Sequence, residues 1–443
     1  MFLSHINSNF VLIDEFEYLP VIVEKIQSIK GMKDLLPGET RRWHLLEEKY
    51  HGVMALYNYR EIRIPVLEKT ALFARSIGED NDIVSKEMYT FTDTGGHELS
   101  LRPEGTAGVV RAYIQHSMAV REPVSKMYYI GPMFRRERPQ KGRYRQFWQA
   151  GAELLGAPEP LPDVEQILML RDYFAALGIE DVTFVCNHLG TPESRKEYTR
   201  VLTAYLEKYK SSLCEDCCNK LVTNPLRVMD CKRDGCRQVV SESPLIDAHR
   251  PAESNAAFDR FTSMLNDLAV SIEVDTRLVR GLDYYTGIVF EGLAGGGEGE
   301  SGLAIVGGGR YDNLVAQLGG SATHATGYAI GLERLIDVYA LKLEDKVDIF
   351  VSFLGVKAEK YAMRLLSNLR RQAWTCDYDP RAGSLKSQMK RANKLSARLA
   401  LIVGDDELRA GAIKLKNMET GEQSDVKTGE LEGVLAVLKE KMK

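Results

Sequence analysis

The chain has 443 residues, of which 44% are hydrophobic and 27% are charged. These values describe an ordinary soluble protein that is long enough for two or three domains, each with its own core. The formal net charge of -4 means that a nucleic-acid partner would have to be met by local basic patches. No apolar run approaches the roughly 20 residues that a membrane-spanning helix needs, so a membrane protein is not expected.

The N-terminal stretch and the cysteines indicate the compartment. Residues 1–20 contain three acidic side chains and no Lys or Arg, which argues against a signal or transit peptide, and residues 1–27 are interpreted as an extension. Five of the seven cysteines lie between Cys214 and Cys236. This clustering differs from a disulfide framework and favours a reducing compartment. We therefore expect a cytoplasmic protein.

The first third of the chain alternates helical and strand patterns. A helical pattern runs through residues 43–57, and residues 59–66 predict a strand. Pro65 of this strand suits a sheet edge, where either a subunit partner or an ordinary turn fits. Two strands at residues 86–92 and 97–102 precede a helix that runs to about Ser117. Glu104 and Thr106 stand at that helix start, where capping and ligand binding are equally good explanations.

Residues 126–156 predict two strands joined by a basic loop. Strand alternation places two sets of side chains on opposite faces. The polar face carries Phe147, Gln149, Gly151 and Glu153. The apolar face carries Trp148, Ala150, Ala152 and Leu154. Gly151 would leave room for a small ligand, and Glu153 would need a cationic partner. The loop contains Arg135, Arg136, Arg138, Lys141, Arg143 and Arg145, which suit phosphates. A solvated basic hairpin is the alternative.

Residues 162–177 predict a helix, residues 182–186 a strand, and residues 194–244 a polar helical insert. The insert holds two thiol pairs, Cys214 with Cys217 and Cys231 with Cys236, which resemble zinc-ribbon spacing. The second spacer is longer than the usual two residues, and Cys218 is left over. Reduced cysteines that tie the insert together are therefore favoured over structural zinc.

Three later segments bring polar residues to strand ends. Residues 277–291 place charged and tyrosine side chains before an apolar strand, and residues 305–312 end a strand in a glycine-rich turn that lets backbone approach a ligand. Residues 327–335 pass from a small-residue strand into a helix with Glu333 and Arg334, which favours an anion site. For residues 277–291 the alternative is surface and core aromatics with an exposed Arg. For residues 327–335 it is glycines that serve only packing.

After a charged linker at residues 344–346, strands and helices alternate, which predicts a small α/β domain with a largely parallel sheet over residues 347–443. Its second helix carries a basic side suited to a phosphate backbone: Lys386, Lys390, Arg391 and Lys394. A solvated helical face is the default interpretation of such a row.

Taken together, five segments resemble the histidyl-tRNA synthetases, a family of class II aminoacyl-tRNA synthetases, from about Gly31 to the C-terminus. The helix and strand ending at Pro65 resemble motif 1. The other segments resemble motif 2, motif 3 and two histidine-specific blocks: Phe134-Arg135-Arg136-Glu137-Arg138, Gly331-Leu332-Glu333-Arg334, Arg280-Gly281-Leu282-Asp283-Tyr284-Tyr285 and Gly308-Gly309-Arg310-Tyr311-Asp312.

The resemblance implies an α+β fold: a six-stranded antiparallel sheet flanked by helices, a helical insert and a C-terminal α/β anticodon-binding domain. The catalytic domain would span residues 28–193 and 245–343 around the insert at 194–244, and residues 347–443 would bind the anticodon. It also implies a homodimer whose interface includes motif 1, and no membrane association. The implied substrates are L-histidine, ATP with Mg²⁺, and histidine tRNA.

The resemblance also assigns individual residues. Glu104, Thr106 and Gln149 would hold the α-ammonium of histidine, while Glu153, Tyr284 and Tyr285 would surround its imidazole, with Tyr311 in the same site. Arg135 and Arg280 would be catalytic at the α-phosphate, Arg143 and Arg334 would bind the β- and γ-phosphates, and Glu137 would fix the adenine side. Arg138 and Gln140 would reach the extra 5′ guanosine of the tRNA.

Two alternatives come from relatives of the family. A synthetase-like regulatory subunit of histidine biosynthesis would bind histidine without activating it, but such proteins usually lack the anticodon domain and the motif arginines that this chain keeps. A synthetase for proline, threonine or glycine would not carry the two histidine-type blocks. Trp148 stands where relatives often have His, and because it lies on the strand face away from the site, we expect only a packing change.

Overall fold

The computed structural model describes residues 25–78, 81–140, 142–295, 302–339 and 347–441. Most of the N-terminal extension, most of the 295–299 loop, the linker at 344–346 and Lys141 lie outside these residues. The chain divides into two compact units, residues 1–341 and 342–443. Within the described part, no helix is both long enough and apolar enough to cross a membrane.

The first unit is built on an eight-stranded sheet of order β1-β5-β6-β11-β10-β9-β7-β8, and β2, β4 and β3 form a separate three-stranded sheet. The strands are β1 Arg60–Glu61, β2 Leu67–Lys69, β3 Tyr89–Thr92, β4 Glu98–Leu101, β5 Ser125–Phe134, β6 Gln146–Leu155, β7 Val182–His188, β8 Ile272–Val274, β9 Thr286–Ala294, β10 Leu303–Arg310 and β11 Ala325–Gly331. The six inner strands are mutually antiparallel, as expected, and β1 and β8 each add one parallel strand at an edge.

The edge strand β1 is shorter than predicted, because pairing stops at Glu61 and Pro65 lies beyond the strand. Arg102 donates from Nη1 to the carbonyl oxygens of Ile64 at 2.8 Å and Pro65 at 3.4 Å, and from Nε to that of Pro132 at 2.9 Å. A guanidinium therefore satisfies carbonyl groups that a longer strand would have satisfied through its ladder.

Helices of the first unit cover both faces of the sheet. They are α1 Pro37–Leu56, α2 Thr70–Ile77, α3 Thr106–Gln115, α4 Met118–Arg121, α5 Leu161–Ala176, α6 Pro192–Lys208, α7 Glu215–Thr223, α8 Asp234–Ser241, α9 Ala252–Asp267, α10 Leu314–Gln317 and α11 Leu332–Val338. A π-helical turn spans Ile83–Glu87, and 3₁₀ turns span Lys210–Ser212, Pro225–Asp230 and Ile246–His249. The predicted insert is thus helical, as α6 to α8.

The two faces of β6 enter two different cores, as strand alternation predicted. Ala150, Ala152 and Leu154 join a cluster with α1 and α5, and Trp148 packs edge-on against Trp43 with ring centroids 5.8 Å apart. The expectation that Trp148 faces away from the site is confirmed. The opposite face belongs to a second cluster, which includes the tyrosines of the later segments and extends into the insert.

The second unit contains a five-stranded sheet of order β13-β12-β14-β15-β16. Its elements are β12 Ile349–Leu354, α12 Val356–Arg371, β13 Cys376–Tyr378, α13 Leu385–Lys394, β14 Leu399–Gly404, α14 Asp405–Arg409, β15 Ala412–Asn417, β16 Gln423–Lys427 and α15 Leu431–Lys441. β13, β12 and β14 are parallel, as predicted, whereas β15 and β16 add an antiparallel hairpin at one edge.

Candidate active site

A cavity of about 210 Å³ opens over β6, β11 and β10 on the sheet face opposite Trp148. Eleven of the predicted site residues line it: Glu104, Thr106, Arg135, Glu137, Arg143, Gln149, Arg280, Tyr284, Tyr285, Tyr311 and Arg334. Residues from widely separated parts of the sequence therefore meet in one place.

Glu153 lies under one end of this cavity and is fully buried. Its Oε1 accepts a hydrogen bond from the Thr106 hydroxyl at 2.7 Å, and its Oε2 accepts one from the Tyr311 hydroxyl at 2.5 Å. Burial raises the pKa of the Glu153 carboxyl to about 8, although both hydroxyls favour the ionised form. Among the described residues, the partners of this carboxyl group are hydroxyl donors, so a cationic partner would have to come from a ligand and stays a prediction.

The space beside Glu153 is set by glycine at the neighbouring strand position. Gly327 is paired with Glu153 in the sheet register, and a Cβ at Gly327 would stand 1.8 Å from Glu153 Oε2 and 2.5 Å from the backbone oxygen of Ala152. The predicted ligand space at Gly151 is instead taken by the Tyr129 ring, whose Cζ would lie 2.4 Å from a Cβ there. Tyr129 was not predicted, since its position depends on contacts between strands.

Glu104 both caps a helix and lines the cavity, so the two explanations from the sequence are compatible. Its carboxylate accepts hydrogen bonds from the backbone N–H groups of Thr106 at 2.6 Å and Ala107 at 2.9 Å, at the start of α3. Burial raises the pKa of the Glu104 carboxyl. The Thr106 hydroxyl donates to Glu153, so Glu104 supplies the side-chain cap.

Tyrosines form the wall next to these carboxyl groups. The rings of Tyr284 and Tyr285 have centroids 4.8 Å apart, and Tyr284 meets Tyr311 edge-on at 5.7 Å. Gln149 lines the same space, and its buried Oε1 has no hydrogen-bond partner within the described part of the chain. An acceptor of this kind suits a ligand ammonium.

Arg280 enters the cavity from the loop before β9 and forms an ion pair with Glu291 of that strand. Its guanidinium also lies over the Tyr285 ring, 5.6 Å from the centroid. Gly307, the β10 residue paired with Glu291, leaves the room that Arg280 occupies, because a Cβ there would be 1.8 Å from Nη2. Glu291 was not singled out in the sequence, since its proximity to Arg280 depends on strand register.

Three arginines form the other wall, and two of them, Arg135 and Arg143, share one nearby carboxylate. Glu137 has one oxygen 3.9 Å from Arg135 Nη1 and the other 3.4 Å from Arg143 Nη1. Arg135 donates to the Pro103 carbonyl at 2.9 Å, and Arg334 donates to the carbonyls of Gly142 at 3.2 Å and Ala304 at 2.8 Å. The wall carries more positive than negative charge, which suits a polyphosphate.

Glu333, next to Arg334 in the predicted anion site, holds two elements of the fold together. Its carboxylate accepts from the Trp148 N–H at 3.0 Å and 2.9 Å and so ties α11 to β6. Burial raises the pKa of this carboxyl to about 7. Arg310 of the glycine-rich turn is also structural: it is fully buried, with Nη1 2.6 Å from Asp163 Oδ2.

Two family models match the chain, histidyl-tRNA synthetase over residues 31–335 and an anticodon-binding domain over residues 348–438. The chain belongs to the histidyl-tRNA synthetase family. It is 47% identical over 418 residues to a protein named histidine–tRNA ligase from Desulfosudis oleivorans, a match that covers 93% of this chain and 98% of that protein.

A solved synthetase structure agrees with this membership. The structure of apo S. aureus histidyl-tRNA synthetase matches with a TM-score of 0.77 at 36% identity, covering 92% of this chain and 98% of that one. A Bacillus halodurans structure described as an ATP phosphoribosyltransferase regulatory subunit/histidyl-tRNA synthetase matches with a TM-score of 0.62 at 20% identity, covering 87% and 98%. The second match shows likeness of fold alone.

Most of the residues predicted to contact tRNA are exposed. Arg138 and Gln140 are exposed near the tip of the β5–β6 hairpin, where Gln140 and Arg143 exchange backbone hydrogen bonds of 3.1 Å and 2.9 Å. In the second unit, Lys386, Lys390 and Lys394 are exposed on α13. Arg391 is instead drawn towards β13, where it donates to Asp377 at 3.1 Å, so the predicted basic row is shorter by one side chain.

Proposed function

We propose that this protein attaches L-histidine to histidine tRNA in two steps. ATP and histidine first form histidyl-adenylate and diphosphate, and the histidyl group then passes to the terminal ribose of the tRNA with release of AMP. The observation that carries the proposal is the single cavity in which an acidic, tyrosine-lined end adjoins a wall of arginines. An amino acid with a cationic ammonium fits the first end, and a polyphosphate fits the second.

At the acidic end, Glu104 and the free Oε1 of Gln149 would accept hydrogen bonds from the α-ammonium of histidine. Glu153 would face the imidazole, with Thr106 and Tyr311 holding its two oxygens in place before the substrate arrives. Tyr284 and Tyr285 would close the side of the pocket. Groups that are ordered in advance cost little entropy on binding.

At the arginine wall, Arg135 and Arg280 would flank the α-phosphate while Arg143 and Arg334 bind the β- and γ-phosphates. The histidine carboxylate, already ionised, would attack the α-phosphorus, and the bond to the diphosphate oxygen would break in line. Mg²⁺ bound with ATP would neutralise charge on the leaving group. The protein contributes position and preorganised positive charge, with no covalent step of its own.

Contacts outside the cavity would select the tRNA. Arg138 and Gln140, exposed at the hairpin tip, would contact the extra 5′ guanosine at the acceptor end. The exposed lysines of α13 would contact the RNA backbone around the anticodon. We further propose a cytoplasmic homodimer whose interface includes the α1–β1 region that resembles motif 1.

Histidine-dependent ATP–pyrophosphate exchange by the purified protein tests the proposal directly. We expect exchange with histidine, and none with proline, threonine or glycine. Histidine binding by a folded preparation that gives no exchange would overturn the enzymatic proposal and support a regulatory subunit instead. The four cavity arginines are the observation that favours the enzyme.

A further inference from the structure

The helical insert brings four cysteines of two separate sequence pairs to one point. The Sγ atoms of Cys214, Cys217, Cys231 and Cys236 all lie within 4.8 Å of one another, and those of Cys214 and Cys231 are 4.0 Å apart. A disulfide needs sulfurs about 2.05 Å apart. Four thiolates around one zinc ion, each about 2.3 Å from it, place neighbouring sulfurs about 3.8 Å apart. We propose that the insert binds one structural zinc ion through these four thiolates.

The local fold explains how the longer second spacer is accommodated. Cys214 precedes α7 and Cys217 lies in its first turn, while Cys231 precedes α8 and Cys236 lies within it. Each pair therefore straddles the start of a helix, which returns the second thiol towards the first. Four residues separate Cys231 from Cys236, within the spacing that zinc pairs use.

The surroundings suit a closed structural site. Cys217 and Cys236 are buried, and Cys214 and Cys231 are half-buried. The backbone N–H of Cys214 donates to Cys236 Sγ at 3.2 Å, the kind of contact that stabilises a metal-bound thiolate. Four protein ligands leave no open position, so the ion would hold the insert together without reacting. Cys218 lies outside the cluster, with its Sγ 3.6 Å from the Lys210 carbonyl oxygen.

The metal site is linked to the active-site loop through the segment that follows α7. Asn224 Nδ2 donates to Asp283 Oδ1 at 2.9 Å, and Arg227 Nη2 donates to the Gly281 carbonyl at 2.6 Å. Arg280 and Tyr284 belong to the same loop. This part of the inference rests on the proposed function: zinc would act as a positioning element, and its loss would let the loop carrying Arg280 move.

Metal analysis of protein purified without chelator tests the site itself. We expect one zinc per chain, its loss in the double variant Cys217→Ser/Cys236→Ser, and full retention in the matched control Cys218→Ser. Cobalt substituted into the wild-type protein should show tetrahedral d–d bands and sulfur-to-cobalt charge transfer. Substoichiometric zinc, stoichiometric iron, or full zinc in the double variant would overturn the proposal.

A second measurement tests the link to the loop. After zinc is removed by chelator and the chelator is dialysed away, histidine-dependent exchange should be slower by about tenfold or more, because a loop that moves misplaces Arg280. Asn224→Ala should slow exchange while zinc stays bound. Unchanged exchange after zinc removal would overturn the link. One zinc per chain in a protein without exchange activity would support the metal site and refute the proposed function.

Discussion

Tyr311 donates a hydrogen bond to Glu153 across 2.5 Å between two buried side chains. The Thr106 hydroxyl approaches the other oxygen of the same carboxyl group, so both oxygens are fixed without a cation in the described residues. Because burial raises the pKa of this carboxyl group to about 8, a positive charge beside it would stabilise its ionised form. The imidazole of histidine would supply that charge when protonated, or donate a hydrogen bond when neutral.

We predict that the free energy of unfolding falls as pH rises because Glu153 loses its proton. Its pKa is raised by burial from 4.5 to about 8, so the folded state keeps the proton to a higher pH than the unfolded state. The associated stability is present below pH 4.5 and is lost as pH rises through 8. Glu153→Gln should remove a dependence on the order of 3 kcal/mol between pH 5 and 8.5, as measured by urea unfolding. Parallel pH profiles for the two proteins would contradict this assignment.

Arg280→His should separate binding from chemistry. We expect histidine affinity to change little and the adenylation rate to fall by about 10²–10³-fold, because charge stabilisation in the transition state is lost. Calorimetric binding and single-turnover adenylate formation measure the two quantities. Glu291→Gln, which removes the ion-pair partner, should show a smaller fall in rate. Equal losses of binding and rate in the Arg280 variant would mean that Arg280 only positions substrate.

Gly327→Ala should abolish histidine binding. The added Cβ would meet both the Glu153 carboxylate and the rigid backbone oxygen of Ala152, so the neighbouring strands would have to shift. Gly52→Ala on α1 is the matched control, because a Cβ there meets no atom within 4 Å. The control should bind histidine normally, and its free energy of unfolding should rise by about 1 kcal/mol. Normal affinity in the Gly327 variant would show that β11 gives way.

Arg310→Met should destabilise the fold, although Arg310 does not line the cavity. The Arg310–Asp163 pair is fully buried, and breaking such a pair from one side costs about 3–5 kcal/mol. Adding Asp163→Asn should cost less than the sum of the single changes, because the orphaned charge disappears. Denaturant unfolding of the four proteins in this cycle measures the coupling. Additive losses would show that the pair does not act as a unit.

Arg138→Ala should weaken aminoacylation of tRNA while ATP–pyrophosphate exchange stays unchanged. The side chain is exposed on the hairpin and does not line the cavity, so only the step that needs tRNA should respond. We expect the KM for tRNA to rise severalfold and to become less sensitive to salt. Arg121→Ala, also exposed, serves as the charge-matched control. A fall in exchange would place Arg138 in the ATP site instead.

Local periodicity was enough to predict some features and not others. Strand alternation predicted that Glu153 and Trp148 lie on opposite faces of β6, because side chains alternate with a period of two wherever a strand is paired. The length of β1 did not follow, since Arg102, 38 residues from Ile64, takes up the carbonyls that would have extended it. Residues 411–417 predict a strand, which the structure shows as β15, but β16 and the antiparallel pairing did not follow from the alternation of helices and strands.

The same distinction holds for the site. Arginines and tyrosines in recognisable segments were predicted, whereas Glu291 and Tyr129 reach the site through strand register and ring packing. The cysteines show it most clearly, because spacing along the chain argued weakly for metal and the fold brings the four sulfurs together. Long-range geometry of this kind has no local signal in a single sequence.

The glycines beneath the cavity constrain how this protein can change. Gly307 and Gly327 already carry the smallest possible side chain, and their missing Cβ atoms are what admit Arg280 and Glu153. No substitution at these two positions can deepen the pocket; each can only fill it. Space for a bulkier amino acid would have to come from other residues that line the cavity. Truncation of Tyr311, for example, would create space and would also remove the hydroxyl that donates to Glu153.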